Sequence, residues 1–263
     1  MIQFKIPIAK PYIDDRDRKI VASVLKSDVI SGGPYLEKFE NNFAIYVGIQ
    51  GSCAVSSGTA GLHLAVKALG IGKGDEVITS PFSFIASSNC LLYEGAKPVF
   101  VDIEETTFNM DPIKIESAIT KRTRAILVVH IFGQTAQMDQ IMKIAKKHNL
   151  KIIEDACESL GATYKGKMAG TFGDIGVFAF YPNKQMTTGE GGMLVTSSEK
   201  YLKLFKSLRN QGRRGGDKWL ESEILGYNYR LDEMRAALGV SQLKKLPFMI
   251  AERIRVAKTY NQE

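Results

Sequence analysis

The sequence predicts an α/β fold, a mostly parallel sheet wrapped by helices in an α/β/α sandwich. Three observations carry that prediction. Seven short runs have strand character: 53–57, 76–80, 98–103, 125–130, 151–155, 175–181 and 192–196. Most are apolar throughout, as suits strands buried on both faces. Between several of them apolar residues recur at helical spacing, and alternating strands and helices imply parallel strands joined by helical crossovers. The length, 263 residues, suits one large domain, or a large one with a small one.

The elements follow in order. Residues 14–28 read as an amphipathic helix, and the loop at 30–40 leads into a second one. After the run at 53–57, the helix at 59–70 places Leu62, Ala65, Val66 and Leu69 on one face. The glycine-rich 70–76 follows a helix and precedes a strand, so it reads as a helix-ending turn. The segment 138–148 repeats the pattern with Met138, Ile141, Ile144 and Ala145, and 201–212 ends on Gly212, a C-cap candidate. From 229 the chain is helical up to Pro247, which should kink or end the helix. Residues 248–263 are again helical. There are no repeats and no low-complexity tracts.

Bulk properties exclude several classes. Hydrophobic content of 44% and charged content of 24% are those of an ordinary globular chain. The longest apolar run, 125–132, is far too short to cross a bilayer. The first ten residues lack the apolar core of a signal peptide. The expectation is a cytoplasmic protein with no membrane partner. The three cysteines have no CxxC spacing and read as free thiols, and the three histidines form no metal-ligand pair. A formal charge of +7 fits anionic ligands. Without a helix-turn-helix, zinc-finger or RNP pattern, it reads as a solvated basic surface and not a nucleic-acid site.

In open α/β sheets ligands sit beyond the carboxyl ends of the strands. Four segments fall there. Ser56, Ser57, Gly58 and Thr59 form a small-residue turn opening a helix, which is either a phosphate cradle or an ordinary N-cap. Phe82 and Phe84 flank a serine past the next strand; one could stack on a flat ring, or both could be core. The strand at 151–155 closes on Glu154 and Asp155, whose side chains must take opposite faces. An acid closing an apolar strand needs a partner, either a cationic ring nitrogen or a neighbouring Lys or Arg. The segment 178–196, FAFYPNKQMTTGEGGMLVT, places Lys184 in a turn followed by Thr187, Thr188 and three glycines. A lysine becomes a nucleophile when its amine is neutral, and glycines let a ligand approach the backbone. Pyridoxal phosphate needs this conjunction: a lysine, an acid, a phosphate cradle and a stacking ring.

SSGTAGLHLA, DEVITSPFSFIASSN, KPVFVDIE, EDACESLGA, GDIGVFAFYPNKQMTTGEGGM and LGYNYRLDEMRAALG together resemble the successive motifs of the DegT/DnrJ/EryC1/StrS aminotransferases. The resemblance covers nearly the whole chain. It implies the large domain of a fold-type-I pyridoxal-phosphate-dependent transferase. Lys184 would carry the cofactor and shuttle a proton, and Asp155 would pair with the ring nitrogen. Gly58 and Thr59 would bind the phosphate, and Phe84 would stack on the ring. Asn228, with Arg230 close by, would reach the phosphate of a partner subunit's cofactor, implying a homodimer with shared sites. The implied reaction moves an amino group from glutamate to a ketone of a nucleoside-diphosphate hexose, a 4-keto-6-deoxy sugar. That places the chain in amino-sugar and surface-polysaccharide (lipopolysaccharide O-antigen) biosynthesis.

Three departures qualify the resemblance. The family commonly has Gln three residues after the aspartate, against the ring oxygen; here it is Glu158, which should be protonated or turned away. It commonly has Ser five residues before the lysine; here Ala179 removes a hydroxyl donor. It continues into a smaller C-terminal domain. The resemblance therefore divides the chain into a large cofactor-binding domain, 1–245, and the start of that small domain, 246–263, the rest of which is missing. The alternatives are an impaired relative that still binds the cofactor, and a family member that makes a cyclitol amine or an aromatic amine.

Overall fold

A computed structural model describes residues 9–213 and 221–262. The first eight residues, read above for a leader, lie outside them. Helix α1 (Asp15–Val24) starts at Asp14, whose carboxylate takes the N–H of Arg16 and Asp17 while Asp17 reaches back to the Asp14 N–H. Helix α2 (Pro34–Val47) has proline at its first turn and ends on a left-handed Gly48. Then come β1 (Gly51–Val55), α3 (Gly58–Ala68), β2 (Glu76–Thr79), α4 (Ala86–Tyr93), β3 (Lys97–Phe100), α5 (Pro112–Ile115), β4 (Thr123–Val129), α6 (Met138–His148) and β5 (Lys151–Asp155). After these lie β6 (Thr163–Tyr164), β7 (Lys167–Met168), β8 (Ile175–Ala179), β9 (Gly192–Thr196), α7 (Glu199–Leu208) and α8 (Glu233–Tyr260).

All seven predicted strands are present, in one sheet of order β1-β9-β8-β5-β4-β2-β3. The β3–β2, β2–β4, β4–β5 and β5–β8 pairs are parallel, and β9 runs antiparallel to both β1 and β8. The parallel carboxyl ends therefore lie along one edge, with the first residue of β9 beside them. Strands β1, β2 and β9 are buried at every residue, which is why they read as apolar runs. One core packs α3 and α7 on one sheet face, and Phe39, Phe43, Phe178 and Phe180 tie α2 to the other. A third cluster under α6 is built from Met138, Ile141 and Ala145.

The structure corrects several element boundaries. The first strand ends at Val55, because Ser57 is the N-cap of α3 and its Oγ accepts the Ala60 N–H. Helix α7 ends at Leu208, ahead of Gly212; that glycine, at φ +73°, sits in the following turn with its N–H on the Ser207 carbonyl. Helix α8 starts at Glu233, not 229. The Glu233 carboxylate is used across the fold, accepting the N–H groups of Gly33, Tyr35 and Leu36 and so capping α2. Pro247 does not end this helix. It forfeits one hydrogen bond among 28 residues, and the buried Leu243, Leu246 and Met249 around it hold the helix on the core. The hairpin of β6 and β7 was missed; its Lys165-Gly166 turn, both at positive φ, was legible in TYKGKM.

Candidate active site

Four of the expected residues, Asp155, Gly58, Thr59 and Lys184, lie at the carboxyl edge of the sheet. Asp155 ends β5, 6% exposed, and no Lys or Arg pairs with it among the described residues. Its Oδ2 accepts the Ser87 hydroxyl at 2.7 Å and its Oδ1 accepts the Cys157 N–H at 3.2 Å. Neither donor neutralises the charge. Burial and then the Asp155 carboxylate push the Cys157 thiol well above its usual range. Cys90 is pushed up by the same two causes in the same order. Asp155 thus has only neutral donors among the described residues, and Cys157 stays a protonated thiol. Glu154 points the other way, as strand geometry requires. Its carboxylate takes His130 Nε2 at 2.9 Å and the N–H groups of Gly170, Phe172 and Gly173. His130 Nδ1 accepts the Ala136 N–H, so the donated proton is on Nε2. Glu154 is structural.

Gly58 and Thr59 open α3 beside Cys157. The α3 hydrogen bonds begin with the N–H of Ala60 on Ser57 Oγ and of Gly61 on the Ser57 carbonyl. The Gly58 and Thr59 N–H groups have no acceptor among the described residues, as expected of a helix start that holds an anion. A Cβ on Gly58 would lie 2.7 Å from Ala179 Cβ and 3.1 Å from Cys157 Sγ, so only glycine fits. Position 179 therefore faces the cradle, and its methyl stands where a hydroxyl would add a donor.

Lys184 reaches the site from the loop after β8, its side chain 16% exposed. The Phe180 carbonyl accepts both the Thr188 N–H and Thr187 Oγ1, which closes this loop. From α8, Arg253 donates to the Lys184 carbonyl at 2.8 Å. The neighbouring glycines admit the chain itself: a Cβ on Gly192 would lie 2.4 Å from the Ser57 carbonyl oxygen. Lys184 Nζ donates to Glu158 Oε1 at 3.2 Å, and Glu158 Oε2 accepts the Phe132 N–H at 3.1 Å. Glu158 is therefore paired with the lysine and occupied on both oxygens.

Of the two alternatives for the aromatic residues, the structure removes the core one. Phe82 and Phe84 are not core; they stand 41% and 73% exposed. Phe82 packs against Phe108 and Phe132, while Phe84 presents its ring at the open edge, where it is available to a ligand or a partner. Asn228 and Arg230 are exposed on the segment before α8, with Arg230 donating to Asn210 Oδ1 at 3.0 Å. That segment adjoins the cradle, because the Tyr229 carbonyl accepts the Ser56 N–H at 2.9 Å. Ser87 was not anticipated as a site residue; SPFSFIASSN showed its serines without showing which one faces Asp155. A cavity of about 670 Å³ is lined by Lys184 and its loop together with Tyr12, Phe248 and Arg253, and not by Asp155 or Gly58.

Comparison with known proteins sharpens this picture. The sequence profile of the DegT/DnrJ/EryC1/StrS aminotransferase family matches residues 11–263. The GDP-perosamine synthase of Caulobacter vibrioides is 43% identical over 261 residues, covering 98% of this chain and 70% of that protein. Helicobacter pylori PseC, an aminotransferase involved in the biosynthesis of pseudoaminic acid, superposes with a TM-score of 0.93 at 34% identity, covering 97% of this chain and 70% of that one. The PLP form of the sugar aminotransferase Spr1654 from Streptococcus pneumoniae, itself described as putative, gives 0.94 at 29% identity, with 98% and 71% covered.

Proposed function

This chain belongs to the DegT/DnrJ/EryC1/StrS aminotransferase family, and from that premise we propose that it aminates the keto group of a nucleoside-diphosphate 4-keto-6-deoxyhexose with glutamate as donor. It is a pyridoxal-phosphate-dependent sugar-nucleotide aminotransferase of polysaccharide biosynthesis. The observation that carries the reading is the set formed by Asp155, the open start of α3 and Lys184. It holds a buried anion with only neutral donors, free N–H groups for a phosphate, and an amine. No helix among the described residues is long and apolar enough to cross a membrane.

The residues fit the cofactor. Gly58 and Thr59 would hold its phosphate, Asp155 would face its ring nitrogen, and Phe84 would cover its ring. When bound, pyridoxal phosphate supplies an electron sink for the carbon next to the transferred nitrogen. Ser87 and the Cys157 N–H keep the Asp155 carboxylate oriented, and the buried charge holds a proton on a nitrogen beside it. Lys184 Nζ moves a proton to and from the reacting carbon. In that role Glu158, 3.2 Å away, keeps the lysine aimed into the site when it is free. Burial around Asp155 excludes water, which strengthens the same electrostatics.

A homodimer with shared sites is part of the proposal. Its support is the exposed aromatic edge of Phe82, Phe84 and Phe132 beside the site, with Asn228 and Arg230 exposed and able to serve a second copy. The function is tested with purified chain, pyridoxal phosphate, glutamate and GDP-4-keto-6-deoxymannose. The expected result is an amino sugar nucleotide and 2-oxoglutarate in equal amounts. Conversion of glutamate to 2-oxoglutarate without any aminated sugar would reject the substrate class and leave the cofactor assignment standing.

A further inference from the structure

His63 lies on α3, one and a half turns beyond the cradle, and is 4% exposed. Its Nδ1 lies 3.0 Å from the Tyr229 hydroxyl and its Nε2 lies 2.8 Å from Glu94 Oε1. Glu94, at the end of α4, also accepts the Tyr227 hydroxyl at 2.7 Å and Lys67 Nζ at 2.8 Å. An ionised carboxylate only accepts, so Nε2 donates to Glu94, and in the neutral ring Nδ1 accepts the Tyr229 hydroxyl. Every group is satisfied in that arrangement. The tyrosine rings stack at 5.2 Å and 10°, and the imidazole packs edge-on against Tyr93 and Tyr227. Burial first, then Glu94, pushes the Tyr227 hydroxyl up, and burial, then Tyr93 and Glu94, does the same to Tyr229; both remain donors.

The backbone closes a ring around the start of α3. The Tyr229 carbonyl holds the N–H of Ser56, next to the N-cap Ser57, while the Tyr229 hydroxyl is held by His63 on the same helix. Tyr227 and Tyr229 also donate their N–H groups to the carbonyls of Leu208 and Arg209. Asn228 lies between these two anchored residues. Buried polar networks of this kind add little net stability over an apolar core of equal shape, but they fix geometry.

We propose that His63, Glu94 and Tyr229 are positioning residues that set the start of α3 for the cofactor phosphate and fix the backbone on either side of Asn228. The proposal rests on the reading of Gly58 and Thr59 as the phosphate cradle. The clamp touches the cradle and not the lysine or the ring pocket, so it should matter for a phosphorylated ligand only. The test compares pyridoxal 5′-phosphate with pyridoxal, titrated into wild type, Tyr229→Phe and Glu94→Gln and followed by the visible absorption band. The expected result is a loss of about three- to tenfold in affinity for the phosphorylated form in both variants, the scale of one or two hydrogen bonds. Affinity for pyridoxal should stay within about twofold, as expected when the untouched lysine and ring pocket set it. An equal loss for both ligands, or no loss in Tyr229→Phe, would overturn the clamp. Should Glu94→Gln fail to fold, Tyr229→Phe, which keeps the stacked ring, decides alone. A wild type that binds both ligands equally would overturn the cradle itself, and the clamp with it.

Discussion

Lys184→Ala is expected to lower turnover with glutamate by about four orders of magnitude or more, the combined scale of losing a nucleophile and a general acid–base group. The reason is positional. Among the described residues no other lysine pairs with Asp155 or Glu158 at that edge, and the nearby thiol of Cys157 is held protonated. The fold should survive, because Glu158 keeps its bond from the Phe132 N–H and the loop stays closed through Phe180, Thr187 and Thr188. Stopped assays on the variant, with a thermal melt as control, check this. Turnover within tenfold of wild type in a folded variant would remove Lys184 from the chemistry.

Asp155→Asn is expected to lower kcat/KM by about two to three orders of magnitude, the usual scale for losing a buried electrostatic stabiliser. The amide is nearly isosteric and still offers an acceptor to the Ser87 hydroxyl, so packing is kept while the charge is lost. Among the described residues the buried carboxylate has no cationic side chain of its own, which leaves it for a ligand. Steady-state kinetics at fixed cofactor saturation measure the effect. A loss below threefold would show that Asp155 merely ends a strand.

The strands and most helices were legible because burial on both faces writes itself into unbroken apolar runs, and α6 and α7 write theirs as amphipathic stripes. Lys184, Asp155 and Gly58 were legible as candidates because each stands at or just past the end of a strand in the same sheet. What escaped had no local pattern. Ser87 sits on α4, a short helix without a clear apolar stripe, and its partner is 68 residues away. His63 read as one of three scattered histidines, and its partners Glu94 and Tyr229 are 31 and 166 residues distant. The threonines and glycines after Lys184 suggested ligand approach, yet Thr187, Thr188 and Gly192 serve the chain's own close packing. The pairing of Glu158 with Lys184 depends on the loop geometry, which no spacing rule supplies.

The central claim is that Lys184 carries pyridoxal phosphate at the sheet edge. Its most direct test is to add the cofactor to the purified chain, record the visible spectrum, reduce with borohydride and map the labelled peptide. The structure predicts a yellow absorption band and a single label, on Lys184. A folded protein that shows no band, or that carries its label on another lysine, would contradict the account.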